Sequence, residues 1–400
     1  DLYFLDGSDQ FLWTSEGSGY RHIYLYDNDG TLARQVTSGD WVVSDIEDYD
    51  EAEGVVYFHG LYDTPLERHL YKVSYKESGA DITRLTAEAG WHDTVTNLGS
   101  GFVDSYSASD VPPRIALKNM AGELITYIQE NPLDETHPYY AYLNTHARAI
   151  FGTLRAADGT DLHYRLIRRA GFDCDARHPL IVFVYGGPGV QQVRNRWLLD
   201  FNQILARNGY VVLTVDNRGS INRGTAFEGV LYRSMGDTEV RDQVAGVNFF
   251  TEIGMIDPAR VGIWGWSYGG YMTLMSLSKA GEVFKAGVSV APVTDWRLYD
   301  THYTERYLGD PNAPGGVYAE SSVFKHLDGL SGSLLVMHGM ADDNVVFDHT
   351  VKLIDELQNR RKTFQMMTYP GKRHRISGED TRAHVWRTAL DFFNKELRGE

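Results

Sequence analysis

The chain has 400 residues, 42% of them hydrophobic and 23% charged, a composition typical of soluble globular proteins with two or three domains. The 38 Lys and Arg residues against 54 Asp and Glu give a net charge of −16, which argues against binding to nucleic acid or to an anionic membrane surface. No run approaches the ~20 apolar residues of a membrane-spanning helix. The single cysteine, Cys174, excludes an internal disulfide framework and a cysteine-rich metal site.

The N-terminal part of the chain predicts repeated β units. Residues 11–13 are echoed by residues 55–57, and residues 21–24 (RHIY) by residues 68–71 (RHLY). A third, weaker copy follows. A period near 45 residues with about four short strands per unit is typical of β-propeller blades. We therefore expect residues 1–142 to be the last blades of an N-terminal propeller whose upstream blades are absent, with a β-sandwich as the alternative.

From residue 143 to residue 400, strand-like and helix-like runs alternate. Such a pattern, with nearly all-apolar strands, predicts a buried and mostly parallel sheet covered by helices. The runs are, in chain order, residues 180–185, 197–208, 210–216, 238–252, 260–265, 269–280, 286–291, 333–338 and 364–369.

Residues 265–269 (GWSYG) match the G-x-S-x-G pattern of a nucleophile elbow. They follow the apolar strand of residues 261–264 and open a predicted helix, which is the setting that this motif requires. The flanking glycines let neighbouring chain come close, and the turn presents the Ser267 hydroxyl above the sheet. Ser267 is therefore the candidate nucleophile, and an ordinary structural turn is the alternative.

A serine hydroxyl needs a base, and in this setting the partners follow in the order Ser, Asp, His. Asp342 and Asp343 both follow one apolar strand, and His374 follows the next strand. The carboxyl ends of parallel strands meet at one edge of a sheet, so these side chains are expected beside the elbow. Spacing alone leaves both aspartates open. His338 and His384 are the rival histidines, the first expected in structural packing and the second on a helix.

An oxyanion hole is expected next to the elbow. The backbone N–H of Tyr268, directly after the nucleophile, is one predicted donor. The second donor is expected in the glycine-rich turn after the strand that ends at Tyr185. A backbone amide of that turn and the Tyr185 hydroxyl are both candidates.

Motifs for metals and nucleotides fail on inspection. The segment around Asp48 lacks the glycine and terminal glutamate of an EF-hand, and no H-E-x-x-H, P-loop or strand-linked G-x-G-x-x-G is present. We expect no cofactor and no metal. The acidic run between Asp45 and Glu53 is expected to be a solvated face.

Taken in order, these segments resemble the prolyl oligopeptidase family of serine peptidases, and the dipeptidyl peptidase IV branch looks nearest. The likeness covers essentially the whole chain. It rests on residues 184–189 (VYGGPG), 216–220 (DNRGS), 265–271 (GWSYGGY), 291–296 (APVTDW), 303–307 (YTERY) and 341–345 (ADDNV).

The resemblance implies an α/β-hydrolase domain preceded by propeller blades. It also implies an exopeptidase that releases X-Pro or X-Ala dipeptides through an acyl-enzyme. Ser267 would be the nucleophile, Asp342 would orient His374, and the Tyr185 hydroxyl would be the second oxyanion donor. The residues implied to wall the pocket for the residue before the cut are Tyr268, Val293, Trp296, Tyr299, Tyr303 and Val345. Asn344 would hold the backbone carbonyl one residue further back.

Two features depart from the family pattern. The glutamate pair that grips the substrate's free amine in this branch is not identified in residues 1–142 and is expected upstream. Arg375 follows His374 where the family usually has glycine. The alternatives are therefore a prolyl oligopeptidase, an acylaminoacyl-peptidase, a tripeptidyl-peptidase, or a binding protein on a peptidase scaffold. The resemblance also implies a homodimer and favours a periplasmic or cell-surface location over the cytoplasm.

Overall fold

The computed structural model describes residues 1–97, 100–173 and 176–400, so Cys174 lies outside the described residues. The chain divides into two units. The first consists of Asp1–Asn144, Arg194–Leu198 and Ile221–Glu228, and the second of Thr145–Val193, Leu199–Ser220 and Gly229–Glu400. Two short segments from the C-terminal part of the chain thus belong to the first unit.

Within the described residues, the first unit contains three four-stranded antiparallel sheets. Their strands are β1 (Leu2–Phe4), β2 (Gln10–Ser15), β3 (His22–Asp27) and β4 (Leu32–Gln35); β5 (Val43–Asp50), β6 (Val55–Gly60), β7 (His69–Ser74) and β8 (Thr83–Arg84); and β9 (Trp91–Asn97), β10 (Gly101–Ala108), β11 (Val111–Lys118) and β12 (Leu124–Gln129). Each strand pairs with the next in sequence, which is the arrangement of propeller blades.

The sequence repeat corresponds to a shared hydrogen-bond pattern in the first two sheets. His22 in β3 and His69 in β7 occupy equivalent third strands. The Nδ1 atom of His22 lies 3.1 Å from Oγ1 of Thr37, and that of His69 lies 2.9 Å from Oγ1 of Thr86. In both sheets the same threonine oxygen accepts the N–H of the residue after the histidine. These buried contacts explain why histidine and threonine recur at this spacing.

The acidic run is not the solvated face that was predicted. Asp45, Glu47 and Asp48 are only partly exposed, and their carboxylates bind polar groups of the same unit. Oδ2 of Asp45 lies 2.7 Å from Nδ1 of His59, Oε1 of Glu47 accepts the Thr96 N–H at 2.9 Å, and Oδ2 of Asp48 accepts the Thr96 hydroxyl. The prediction is wrong for these three carboxylates, because it counted charge and could not include their long-range hydrogen-bond donors.

The second unit is built on a sheet with eight strands among the described residues, in the order β13-β14-β16-β15-β17-β18-β19-β20. The two pairings β13–β14 and β14–β16 are antiparallel, and the others are parallel. The strands are β13 (Arg148–Arg155), β14 (Asp161–Arg168), β15 (His178–Phe183), β16 (Val211–Val215), β17 (Ile256–Trp266), β18 (Ala286–Val290), β19 (Ser333–Gly339) and β20 (Gln365–Tyr369).

Helices follow the parallel strands and cover the sheet, as predicted for an α/β domain. In the described residues they are α1 (Phe201–Arg207), α2 (Thr225–Glu228, in the first unit), α3 (Thr238–Glu252), α4 (Tyr268–Lys279), α5 (Thr301–Leu308), α6 (Val317–Glu320), α7 (Val323–His326), α8 (Asp348–Asn359) and α9 (Glu379–Arg398). None of the described helices is long and apolar enough to cross a membrane.

The predicted runs agree with these elements except at α1. The run of residues 197–208 is helical only from Phe201, because Asp200 caps the helix by accepting the Asn202 N–H at 3.0 Å. One part of the core of this unit lies between the sheet and the helices α1 and α9. There the ring of Phe201 stacks on Trp386 at 4.8 Å, and Trp264 packs edge-on against both rings.

Candidate active site

Ser267 occupies a strained turn between β17, which ends at Trp266, and α4, which begins at Tyr268. Its backbone angles are φ 62° and ψ −119°, a region that favours glycine. The Ser267 N–H donates to the Val290 carbonyl at 2.9 Å, and its carbonyl accepts the Tyr271 N–H at 3.1 Å. A strained serine held by its surroundings at a strand-to-helix turn is the geometry of a nucleophile elbow.

Two glycines make this turn possible. A Cβ atom on Gly265 or on Gly269 would overlap the carbonyl oxygen of Val184, which follows β15. The chain after β15 therefore passes directly against both sides of the elbow. This close approach brings Tyr185, the next residue, to the neighbourhood of Ser267.

His374 lies against Asp342 at the same edge of the sheet. Its Nδ1 atom is 2.7 Å from Oδ2 of Asp342, and its side chain is 18% exposed. The indole N–H of Trp266 donates to the His374 carbonyl at 2.9 Å, so the residue before Ser267 holds the histidine loop. Asp343 instead pairs with Arg373 at 2.9 Å among exposed side chains. Of the two candidate aspartates, Asp342 is the one that contacts His374.

Asp342 is buried and accepts four hydrogen bonds. Its Oδ1 atom accepts the N–H groups of Asn344 and Val345 at 3.0 Å, and Oδ2 faces both His374 and His338. Burial would raise the pKa of Asp342, but the hydrogen bonds from the two histidines and from Asn344 outweigh it and hold the pKa well below its usual range. The carboxylate therefore remains ionised beside His374.

His338 supports Asp342, a contact that the sequence did not reveal. Its Nε2 atom lies 3.0 Å from Oδ2 of Asp342 and 2.9 Å from the Val345 carbonyl. Both partners only accept, so Nε2 carries the proton. Its Nδ1 atom lies 2.7 Å from Oγ1 of Thr350. The rival histidine His384 sits on α9, 3.2 Å from the Tyr369 hydroxyl.

The two predicted oxyanion donors belong to tyrosines whose rings are neighbours. The rings of Tyr185 and Tyr268 are 5.9 Å apart. Burial, with smaller contributions from Tyr299 and Tyr307, raises the pKa of Tyr185 to about 12, so its phenol keeps the proton that a donor needs. The Tyr268 N–H is the first amide of α4, and such amides have no partner within their helix.

The predicted pocket residues form an aromatic cluster around Trp296. Its ring lies 5.4 Å from Tyr268, 6.0 Å from Tyr299 and 6.0 Å from Tyr303, the last pair stacked. Trp296 is only 1% exposed, whereas Tyr299 and Tyr303 are partly exposed, so Trp296 lies behind the two tyrosines. Val293 and Val345 are buried.

Asn344 is oriented by a pocket tyrosine. The Tyr299 hydroxyl donates to Oδ1 of Asn344 at 3.0 Å. This contact occupies the amide oxygen and turns the amide toward use of its NH₂ group, which is a donor only. Asn344 is thereby suited to hold a carbonyl oxygen.

Glu239 is a buried carboxylate beneath this cluster that the sequence analysis did not single out. Its Oε1 atom accepts the Tyr268 hydroxyl at 2.8 Å. Burial raises the pKa of Glu239 to about 7, although hydrogen bonds from its own helix end and from Tyr268 oppose the shift. A raised pKa next to a candidate site is a signal that only the folded structure provides.

Among the described residues, one group has the composition of a metal site: Asp45, Glu47 and His59 in the first unit, whose ligand atoms lie within 4.8 Å of one another. The Thr94 N–H donates to Nε2 of His59 at 3.2 Å, so Nδ1 carries the proton and faces Asp45. Neither ring nitrogen is left to bind a cation, and the group is a hydrogen-bond network.

A mostly parallel sheet that carries an elbow serine, an acid and an imidazole at one edge defines an α/β hydrolase. Residues 199–400 match the model of the prolyl oligopeptidase family, and residues 1–113 match that of the dipeptidyl peptidase IV N-terminal region. The chain belongs to the prolyl oligopeptidase family.

Known relatives cover nearly all of this chain. It is 35% identical to human dipeptidyl peptidase 8 over 90% of its length, and 33% identical to a probable dipeptidyl-aminopeptidase B of Coccidioides posadasii over 98%. The chain spans 42% and 43% of those two relatives. The crystal structure of Porphyromonas gingivalis dipeptidyl peptidase 4 is similar at 33% identity with a TM-score of 0.93, over 99% of this chain and 56% of that one.

Proposed function

We propose that this chain carries the catalytic centre of a serine peptidase that releases dipeptides from free N-termini, with proline or alanine before the cut. The contact between Asp342 and His374, 2.7 Å long and at the same sheet edge as the strained Ser267, is the observation that carries the proposal. The relatives named above are all called dipeptidyl peptidases or dipeptidyl-aminopeptidases, and these names support cleavage after the second residue.

In the proposed first half-reaction, Oγ of Ser267 attacks the substrate carbonyl while His374 takes its proton on Nε2. Asp342 stabilises the imidazolium that forms. The Tyr185 hydroxyl and the Tyr268 N–H donate to the oxyanion. The intermediate then collapses, the proton passes from His374 to the leaving amine, and the dipeptide remains esterified to Ser267.

In the second half-reaction, water attacks the ester with His374 again as the base. The bond from the carbonyl carbon to Oγ breaks, and the proton returns to Ser267. These steps need no cofactor.

The aromatic cluster suits a compact apolar ring before the cut. Proline has no backbone N–H to satisfy, and flat ring faces bury its pyrrolidine well. Tyr299 and Tyr303 stand in front of Trp296 and offer such faces, and alanine fits the same space with less contact. Asn344 is proposed to hold the carbonyl one residue further back.

The test compares Gly-Pro-anilide with a free amine and the same compound with its amine blocked, in the purified full-length protein. Cleavage of only the compound with the free amine supports the proposal. Comparable cleavage of the blocked compound contradicts it and favours the oligopeptidase alternative. Ser267→Ala is expected to retain the fold and lose several orders of magnitude in turnover. Near-normal turnover in that variant contradicts the assignment of Ser267. We also propose that the protein is a homodimer, as the family resemblance implies. Sedimentation of the same preparation measures its mass, and a monomer would contradict this.

A further inference from the structure

Glu239 is a fully buried carboxylate that the proposed mechanism does not use. It lies in the first turn of α3 and has 0% exposure. Its Oε1 atom accepts the Gly236 N–H and the Tyr268 hydroxyl, each at 2.8 Å, and Oε2 accepts the Asp237 N–H at 3.1 Å. Two of these donors are backbone groups of the adjacent turn, and the third is a side chain of the candidate site.

Tyr268 joins the two functional parts of that site. Its ring packs on Tyr185, the candidate oxyanion donor, and on Trp296, the back of the pocket, with centroid distances of 5.9 Å and 5.4 Å. On another side it is confined by Gly187, where a Cβ atom would come within 2.6 Å of the ring. A small rotation of this ring therefore changes the shape of the pocket.

The hydroxyl at the tip of the Tyr268 ring donates to Glu239, and this hydrogen bond restrains rotation of the ring. Burying a carboxylate costs more free energy than burying an apolar or an amide side chain, even when the carboxylate is hydrogen-bonded. The nearby Asp237 side chain instead forms ion pairs with Lys279 and Arg241 and is partly exposed.

We propose that Glu239 is a positioning residue: it fixes the Tyr268 ring through the hydroxyl and thereby sets the preference for proline over alanine before the cut. This inference rests on the proposed function. Glutamine at position 239 keeps the shape, but its NH₂ group lies either against the Asp237 N–H or against the Gly236 N–H and the Tyr268 hydroxyl, a donor against a donor in both cases. The ring then loses a well-oriented anchor.

The experiment is a double-mutant cycle of Glu239→Gln and Tyr268→Phe, with Ala-Pro-anilide and Ala-Ala-anilide as substrates. At a pH above the pKa of Glu239, each single variant is expected to lower the ratio of the two kcat/KM values about 10-fold, the effect of one hydrogen bond to a charged group. The double variant is expected to be no worse than either single, because both changes remove the same contact. Asp237→Asn is the matched control and should leave the ratio unchanged.

The ratio of the two kcat/KM values does not depend on the fraction of folded enzyme. If Glu239 has a purely structural role, the variants therefore keep the wild-type ratio, and that result overturns the proposal. Additive effects of the two substitutions on the ratio overturn it as well. A parallel urea-unfolding cycle of the same four proteins needs no activity: coupling between the two sites supports the anchoring contact, and its absence refutes it. Failure of the wild type on both substrates, by contrast, counts against the proposed function alone.

Discussion

Asp342 collects four hydrogen-bond donors on two oxygens, and this arrangement decides how the site responds to change. Two of the donors are backbone amides, which hold the carboxylate in place, and two are the imidazoles of His338 and His374. Because the pKa of Asp342 is held low, its charge is constant over the range in which an imidazole titrates. In the proposed mechanism the acid therefore orients His374 without exchanging protons with it.

Replacing this acid is expected to abolish most of the activity. Asp342→Asn removes the charge that stabilises the imidazolium, and we expect kcat to fall about 10⁴-fold, as for the acid of a Ser-His-Asp triad. Asp343→Asn is the matched control, since that side chain is exposed and pairs only with Arg373 among the described residues. Steady-state kinetics of both variants check this, and equal losses would contradict the assignment.

Asp342 also makes acid stability predictable. Its pKa is lower in the folded protein than the value of about 3.9 in an unfolded chain, so the folded state binds fewer protons there. The stabilisation is therefore fully present above pH about 4 and is lost as the pH falls toward the folded-state pKa.

Urea unfolding at several pH values measures this contribution. The free energy of unfolding of the wild type should exceed that of Asp342→Asn at pH about 7, and the gap should narrow below pH about 4. A gap that stays constant with pH would show that the carboxylate does not contribute through its charge. Asp343→Asn again provides the reference.

At the scale of elements, the elbow depends on how closely three segments pack. The chain after β15 passes between the end of β17 and the first turn of α4, so closely that no Cβ atom fits at Gly265 or Gly269. The two glycines of the G-x-S-x-G motif are thus required by backbone contact, whereas its serine serves the proposed chemistry. This is why the sequence predicts the position of the strand-to-helix turn: a short local pattern records a tertiary contact.

Alanine at Gly269 is expected to destabilise the protein. In an open helix such a change would add up to about 1 kcal/mol of stability. Here the added methyl overlaps the Val184 carbonyl, and we expect a loss of about 3 kcal/mol together with inactivation. Gly229→Ala is the control, because the added methyl meets no described atom within 4 Å beyond its own local backbone and chain neighbours. Urea unfolding measures the free energy of unfolding of both variants. Equal stability of the two variants would contradict the close packing of Gly269 against the Val184 carbonyl.

The strands β13 and β14 were not predicted, and for β13 the burial pattern gives the reason. Side chains of β13 are mostly exposed or only partly buried, since it forms the edge of the sheet, and its sequence therefore lacks an apolar run. The parallel strands β15 to β19 are buried on both faces and produce the continuous apolar runs that the prediction used.

For the whole molecule, sequence order and spatial grouping differ. A reading along the chain divides it once, between residues 142 and 143. The structure instead groups Arg194–Leu198 and Ile221–Glu228 with the N-terminal sheets. Contacts such as that of Asn195, whose Nδ2 donates to Oε1 of Glu67 at 2.8 Å, join residues 128 positions apart. No local pattern reports such a pairing, and the same holds for Glu239 beneath Tyr268.

The backbone at Ser267 has a consequence for how the protein can change over time. Its φ of 62° suits glycine, so the serine costs of the order of 1–3 kcal/mol in local strain. Selection for thermal stability alone therefore favours glycine at position 267, whether in a laboratory library or in a duplicated gene that no longer performs the original function. Under the proposed function, serine persists at this position only while the reaction itself is selected, so a heat-stable variant from such a screen needs an activity assay.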